Sequence, residues 1–495
     1  MMMKMKYYQK IKELMKKIFS NKIISNSLWG VFANIFQNLF LSVFFVIMAR
    51  VYNEKDLASY IIANTIYSFV LGFSSLGLGY WFIREYINTE FKEQLVEKFF
   101  KIQLVIGLVF YVINILFTLL FYDNLLIIEL SFILGINIVF DNIIYVIKYL
   151  NIAEHQQKKS AILLNVEAFI KCMFALFLFF YFIDVKLLSI VLIVLRLLTL
   201  NLFIRYGSSR SIHLKSILKT KLQFQEIKRI ILENYSFVII GSISIINLRV
   251  GNLVVSKYLS LNNVSYYEIS FKLLSLVYII PVIIGGSIYP VFLKMYKQDV
   301  LKVKNYFYNI YLLFAVFGFF CFTMIFSFSK LIIPLLFGQK YAMIYPYCSQ
   351  MFLVMLVLPT LLLQANLLVV MGLEKIDMIC NLVCLASNIL FCFIGLKYFH
   401  SLSVVIYALC FSFFVFHLIQ DYILVRKGMI TISKAILFYT ISFVALVFYY
   451  FMANQFGGIL FFFLFWFVIL IVAIVNRKKI FANLNVQYES VDINS

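Results

Sequence analysis

Long apolar runs alternate with short polar strips along the whole chain, and the stretch Ala49–Tyr86 shows one such unit in full. A polar strip from Tyr52 to Ser59 separates two apolar runs. The second run, Ala58 to Phe82, is longer than the ~20 residues a helix needs to cross a bilayer. Its small residues, Gly72, Ser74, Ser75, Gly77 and Gly79, would let another helix pack close. Arg84 and Glu85 mark its exit into headgroups and water. Laid out by length and hydropathy, about fourteen such spans fit the chain. They run from centres near Phe36 and Phe69 to centres near Val444 and Phe465.

The layout of Ala49–Tyr86 returns at Ser256–Pro290. An offset of roughly 207 residues lays Arg50 on Lys257, Leu57 on Val264, Tyr60 on Tyr267 and Gly79 on Gly286. The shared order of cation, polar strip, tyrosine and glycine points to a chain built as two halves. The divisions expected are an amphipathic helix at 1–22, a first lobe of six spans at 23–206 and a basic linker at 207–228. A second six-span lobe at 229–425, two further spans at 426–476 and a tail at 477–495 complete it.

Composition sharpens this picture. Hydrophobic residues make up 64% of the chain and the mean hydropathy is +0.97, beyond what a soluble fold can hide. Only 13% of residues are charged, yet the net charge is +21. In a soluble protein that excess would point to nucleic acid. Here the cations sit in short loops between apolar runs, and the positive-inside rule accounts for them. With both termini cytoplasmic, roughly 32 Lys and Arg fall inside and roughly 7 outside, which supports an even number of spans. The first segment carries Tyr7, Ile11, Leu14 and Ile18 on one helical face and Lys6, Lys10 and Lys17 mostly on the other, the pattern of a helix lying on an anionic leaflet. The seven cysteines form no CxxC and read as small packing residues rather than metal ligands. No cofactor is expected.

The region Leu331–Leu396 carries a resemblance. The turn Phe337, Gly338 and Tyr341, the span ending Val369-Val370-Met371-Gly372, and the next span with Asn381 and Asn388 resemble the polysaccharide-transport family. That family includes the O-antigen and capsule repeat-unit flippases. Ala49–Tyr86 is similar to its first loop and second span, and Asn247-Leu248-Arg249 with Leu253–Tyr258 to its seventh span. Two departures stand out: Ala58 where the family often has glycine, and no acidic residue near Gly251. The resemblance implies an all-α polytopic membrane protein, with two six-helix bundles around a central cavity and two extra C-terminal helices. It implies alternating access in a bacterial inner membrane. The implied cargo is an oligosaccharide on a polyprenyl pyrophosphate, with a proton or sodium gradient as driver and membrane lipids as surroundings. The polymerase and chain-length machinery are the implied partners.

Such a cargo needs fixed cations in a wet cavity at hydrocarbon depth. Arg196 and Arg249 have no acid three or four residues away, and each lies near mid-span. Their planar forks suit phosphate oxygens, so both are expected to line the cavity and meet the pyrophosphate. The competing reading pairs them across helices with Asp141 or Glu167. Glu167 and Lys171, and likewise Glu268 and Lys272, are one helical turn apart, where each pair can neutralise itself. Lys272 is retained as a substrate contact, and Glu167, Asp141 and Glu268 as coupling-ion candidates. Asp141 is also placed to bind sugar hydroxyls. Asn34, Gln37 and Asn38 on the first span, and Gln350 and Gln364 on the tenth, suit sugar contacts. His417 and Asp421 have the spacing of a proton relay, although Asp421 beside Arg426 reads more simply as structural. Pro281 and Pro359 lie inside spans and are expected to kink them.

Other classes fit less well. A membrane polymerase or ligase needs a sizeable outer loop, and none is expected. No DxD, GxSxG, HExxH or P-loop occurs, so neither an enzyme nor direct ATP use is expected. A multidrug or cation antiporter of the same fold remains, as does a peptidoglycan-precursor flippase.

Overall fold

A computed structural model describes residues 22–74, 76–207, 217, 220, 224–233 and 235–475. The expected tail, most of the expected linker and all of the amphipathic segment but Lys22 lie outside these residues. Among the described residues every regular element is helical. Contacts divide the chain into two compact units, Met1–Arg249 and Val250–Ser495.

The first unit holds α1 (Lys22–Val51), α2 (Glu54–Ser74), α3 (Leu78–Asn88), α4 (Lys92–Phe121), α5 (Leu125–Gly135), α6 (Asn137–Ala153), α7 (Gln157–Phe177), α8 (Val185–Leu202) and the amphipathic α9 (Phe224–Glu233). The helix α10 (Tyr235–Tyr258) carries the boundary between the units. The second holds α11 (Leu261–Gln298), α12 (Val300–Phe337), α13 (Tyr345–Met351), α14 (Leu358–Val370), α15 (Glu374–Tyr398), α16 (Leu402–Arg426), α17 (Ile432–Phe456) and α18 (Gly458–Val475). Twelve spans among these are long and apolar enough to cross a membrane. The remaining two of the fourteen expected centres fall on α10, with 24 residues, and on the shorter α18.

Turn chemistry explains why the connections are so short. Asn124 accepts from the backbone N–H groups of Leu126 and Ile127 at 3.0 and 3.3 Å, capping α5. Asp184 does the same for α8 through Lys186 N–H, and Asp299 for α12 through Leu301 N–H. Gly457, with φ +85°, turns the chain between α17 and α18 in a single residue, a backbone position that glycine fills without strain. Side chains such as Leu120 and Phe463 then stay exposed on helix surfaces, which lipid rather than water must cover.

The internal repeat is visible in the helix ends. α1 ends at Val51 and α2 begins at Glu54; at the same offset α10 ends at Tyr258 and α11 begins at Leu261. Leu57 and Val264, each the fourth residue of its helix, are fully buried. The two copies diverge further on. α2 stops at Ser74 and restarts as α3, where Gly79 lies under the Tyr149 ring and donates its N–H to Tyr145 Oη at 3.0 Å. In the second copy α11 runs on for 38 residues, straight through Pro281 and Pro290.

Pro359 does not kink a continuous tenth span as expected. That span is a series of short pieces: a 3₁₀ turn at Gln339–Ile344, α13, a second 3₁₀ turn at Phe352–Leu356, and α14 with Pro359 in its first turn. Proline has no N–H to donate, and the first helical turn is where that costs nothing. The break presses the backbone against α12: a Cβ on Gly318 would lie 2.0 Å from the Met355 carbonyl oxygen. Because backbone must move to admit it, Gly318→Ala is expected to destabilise the second unit by about 1–3 kcal/mol. The check is the thermal midpoint of purified protein in detergent, with the exposed Gly286→Ala, whose Cβ meets nothing within 4 Å, as the neutral control.

Candidate functional site

Five helices of the first unit place polar side chains around a cavity of about 200 Å³. α8 supplies Arg196, α7 Glu167 and Lys171, α6 Asn137, α2 a face of Tyr60, Asn64 and Tyr67, and α1 Gln37, while Asp141 of α6 holds Arg196 without lining the cavity. Arg196 is the hub. Its Nε donates to Asp141 Oδ1 at 2.8 Å, its Nη2 also reaches Asp141, and its Nη1 reaches Glu167 Oε2. Lys171 Nζ holds the other Glu167 oxygen at 2.7 Å. Tyr67 donates its hydroxyl to Asp141 Oδ2. The carboxylates are the deeper groups: Asp141 is 9% and Glu167 5% exposed. The cations are the more exposed, with 17% of the Arg196 and 20% of the Lys171 side chain accessible.

This geometry shows the pairings on which two expectations turn. Arg196 does line a cavity, but its fork is already engaged by two carboxylates from two other helices. A guanidinium at hydrocarbon depth is too costly to leave uncompensated, and the cross-helix partners supply what its own helix lacks. The same contacts take up both Asp141 oxygens, so neither stands open for sugar hydroxyls or a coupling cation in this state. Glu167 and Lys171 pair within α7 as their spacing implies, but Glu167 serves two cations at once. The cluster therefore sets two cations, Arg196 and Lys171, against two carboxylates.

The other expected site residues are dispersed. Gln37 lines the cavity, whereas Asn34 and Asn38 are exposed, and Asn38 is spent on the Asn34 carbonyl of its own helix at 2.8 Å. Arg249 is half-buried on α10 at the very end of the first unit. In the second unit Lys272 is half-buried, and Glu268 is buried and accepts from Asn252 Nδ2 at 2.5 Å. Gln364, expected as a sugar contact, is fully buried and donates to Asp421 Oδ1 at 2.5 Å. Asp421 meets Gln364 and Tyr439, while Arg426 sits over the Tyr422 ring, so the expected pairing of Asp421 with Arg426 is not what holds it. Tyr60 had been singled out only through the internal repeat, and Asn64 and Tyr67 not at all. Their spacing of four and three residues is a helical face, and that signal was present in the sequence.

Arg196→Ala would leave two buried carboxylates without their main cation, at a cost of about 3–5 kcal/mol. Its expected signature is a loss of folded protein as well as of activity, measured by thermal melting in detergent. Arg196→Lys, which keeps the charge and loses the fork, should melt closer to wild type.

No curated protein matches the chain in sequence. Solved structures match its fold. The lipid II flippase MurJ in an inward closed conformation is 17% identical with a TM-score of 0.66, over 92% of this chain and 100% of that one. An inward-facing multidrug resistance MATE family transporter of the MOP superfamily is 12% identical with a TM-score of 0.65, over 80% and 96%. A MOP superfamily transporter from Pyrococcus furiosus, titled for the reverse polarity of its binding pocket, is 14% identical with a TM-score of 0.55, over 82% and 95%. The family model described as "Polysaccharide biosynthesis protein" matches residues 47–346, well over half of the chain. The protein is a multi-pass membrane protein with the fold of the MOP superfamily, and it belongs to the polysaccharide biosynthesis protein family.

Proposed function

We propose that this protein is a flippase that carries polyprenyl-pyrophosphate-linked oligosaccharide repeat units, of an O-antigen or a capsule, across a bacterial inner membrane. Movement runs from the cytoplasmic to the outer leaflet by alternating access, with both termini in the cytoplasm. The family assignment supports polysaccharide as the business of the chain. The observation that carries the reading is the Arg196 cluster, in which two cations, Arg196 and Lys171, line the cavity beside one carboxylate, Glu167.

The cluster works by exchange of partners. While Asp141 and Glu167 are ionised they satisfy Arg196 and Lys171. A proton or sodium ion arriving at either carboxylate weakens its hold, and the guanidinium fork and the ammonium turn to the diphosphate oxygens. A cavity of about 200 Å³ admits a phosphate group with some water, not a sugar chain. The sugars and the polyprenyl tail lie outside it, the tail in the bilayer. Arg249 and Lys272 are the further cations assigned to the path, with Glu268 as a second coupling carboxylate. The polymerase and chain-length machinery would receive the product.

One observation favours a second reading. Glu167 lines the cavity and Asp141 is tied to the same arginine, and an antiporter of cationic drugs needs acids there. In this structure both are tied to Arg196 rather than open, which supports the anionic cargo. The decisive variants are Lys171→Gln and Arg196→Lys, in a bacterium that depends on this protein. Each is expected to lower surface polysaccharide about tenfold, the effect of one lost charge-assisted contact. Lipid-linked oligosaccharide should build up on the inner side, as read by mass spectrometry. Unchanged surface glycan with raised sensitivity to cationic drugs would move the assignment to the antiporter. Lysis on deleting the gene, with no change in surface glycan, would move it to a peptidoglycan precursor.

A further inference from the structure

The second unit contains a buried polar chain that the proposed transport path does not use. Asp421 on α16 is 3% exposed and its carboxylate lies among neutral groups. Gln364 of α14 donates to Oδ1 at 2.5 Å, and Tyr439 of α17 donates its hydroxyl to Oδ2 at 2.6 Å. His417, one turn before Asp421 and fully buried, holds the same hydroxyl through Nδ1 at 2.6 Å. The far ring nitrogen, Nε2, meets Thr360 Oγ1 at 2.9 Å and Tyr311 Oη of α12 at 3.4 Å. The next charged groups are held elsewhere. Gln420 donates to Asp377 of α15 at 2.9 Å, and Lys434 of α17 lies over the Tyr308 ring of α12 at 3.8 Å. Asp421 thus sits in a membrane-embedded bundle with histidine as its one basic neighbour within ion-pair range among the described residues.

We infer that Asp421, Tyr439 and His417 form a proton-binding site in the second unit, with Tyr439 as its port. An isolated carboxylate at this depth is costly, and one added proton removes that cost. Tyr439 is the one member of the chain that is not buried, and it borders a mainly apolar groove of about 880 Å³ lined by α16, α17, the 3₁₀ turn at Phe352–Leu356 and Phe391 of α15. In the empty site His417 Nδ1–H donates to Tyr439 Oη, which aims the phenol proton at Asp421. On loading, the incoming proton becomes the new phenol proton while the old one passes to Asp421 Oδ2. One O–H bond breaks at Tyr439 as another forms there, and one forms at Asp421. The net change is one proton gained and one negative charge removed. His417 is a positioning residue throughout.

The site needs no cargo, so its test stands apart from the flippase reading. Purified protein in lipid is acidified across roughly pH 8 to 5, the window in which such groups exchange protons, and followed by infrared difference spectroscopy. A protonated-carboxyl band is expected to grow in, and Asp421→Asn is expected to remove it. Tyr439→Phe deletes the hydroxyl that favours the ionised carboxylate, so the band's midpoint should rise by about one to two pH units. This second variant keeps the ring in place should the first fail to fold. A wild-type spectrum without the band, a band that survives in Asp421→Asn, or a midpoint unmoved in Tyr439→Phe would each overturn the site.

Discussion

A guanidinium set halfway along a membrane span cannot share its charge with water, so protein must answer it. In the first unit that demand falls on Arg196, and four helices are arranged to meet it. Asp141 comes from α6, Glu167 from α7, and Tyr67 of α2 steadies Asp141 from behind. Attraction between buried charges recovers their desolvation only when the geometry is good and the remaining lone pairs are filled. Here Tyr67 donates to the second Asp141 oxygen, and Lys171 stands as an ion pair 2.7 Å from the second Glu167 oxygen. The cluster is the polar spine of the unit.

That double role shapes how transport would be coupled. Cations left bare would bind any anion and hold it. Cations already paired release and re-form contacts, and the exchange responds to whatever neutralises the carboxylates. On the proposed function, the energy of moving a diphosphate past Arg196 would be a difference between two sets of ion pairs rather than the full cost of a naked charge in lipid. Access of an ion to Asp141 or Glu167 becomes the natural control point.

The two units share a scaffold but not its polar contents. Helix ends recur at the same offset, and Leu57 and Val264 occupy the same buried step at the start of the long helix. The first unit then breaks α2 before Gly79 and builds around Arg196. The second lets α11 run on, breaks its tenth span instead, and links buried Asp421, His417 and Gln364 to the half-buried Tyr439. Repetition preserved the frame, and each half was free to place different chemistry inside it.

The sequence by itself determined what depends on near neighbours in the chain. Span lengths follow from apolar runs, helix starts from Asn124, Asp184 and Asp299, and the Glu167–Lys171 pair from a spacing of one turn. Even the α2 face of Tyr60, Asn64 and Tyr67 was legible as a periodicity. What tertiary structure alone decided is which helix faces which. In lipid a span is apolar around most of its girth, so periodicity does not name the side that packs. Arg196 therefore found Asp141 and Glu167, Gln364 was spent on Asp421, and Tyr439 came to bridge Asp421 and His417, through contacts between helices far apart in the chain. A buried charge is neutralised by whatever packing brings within reach, and that distance is a property of the fold.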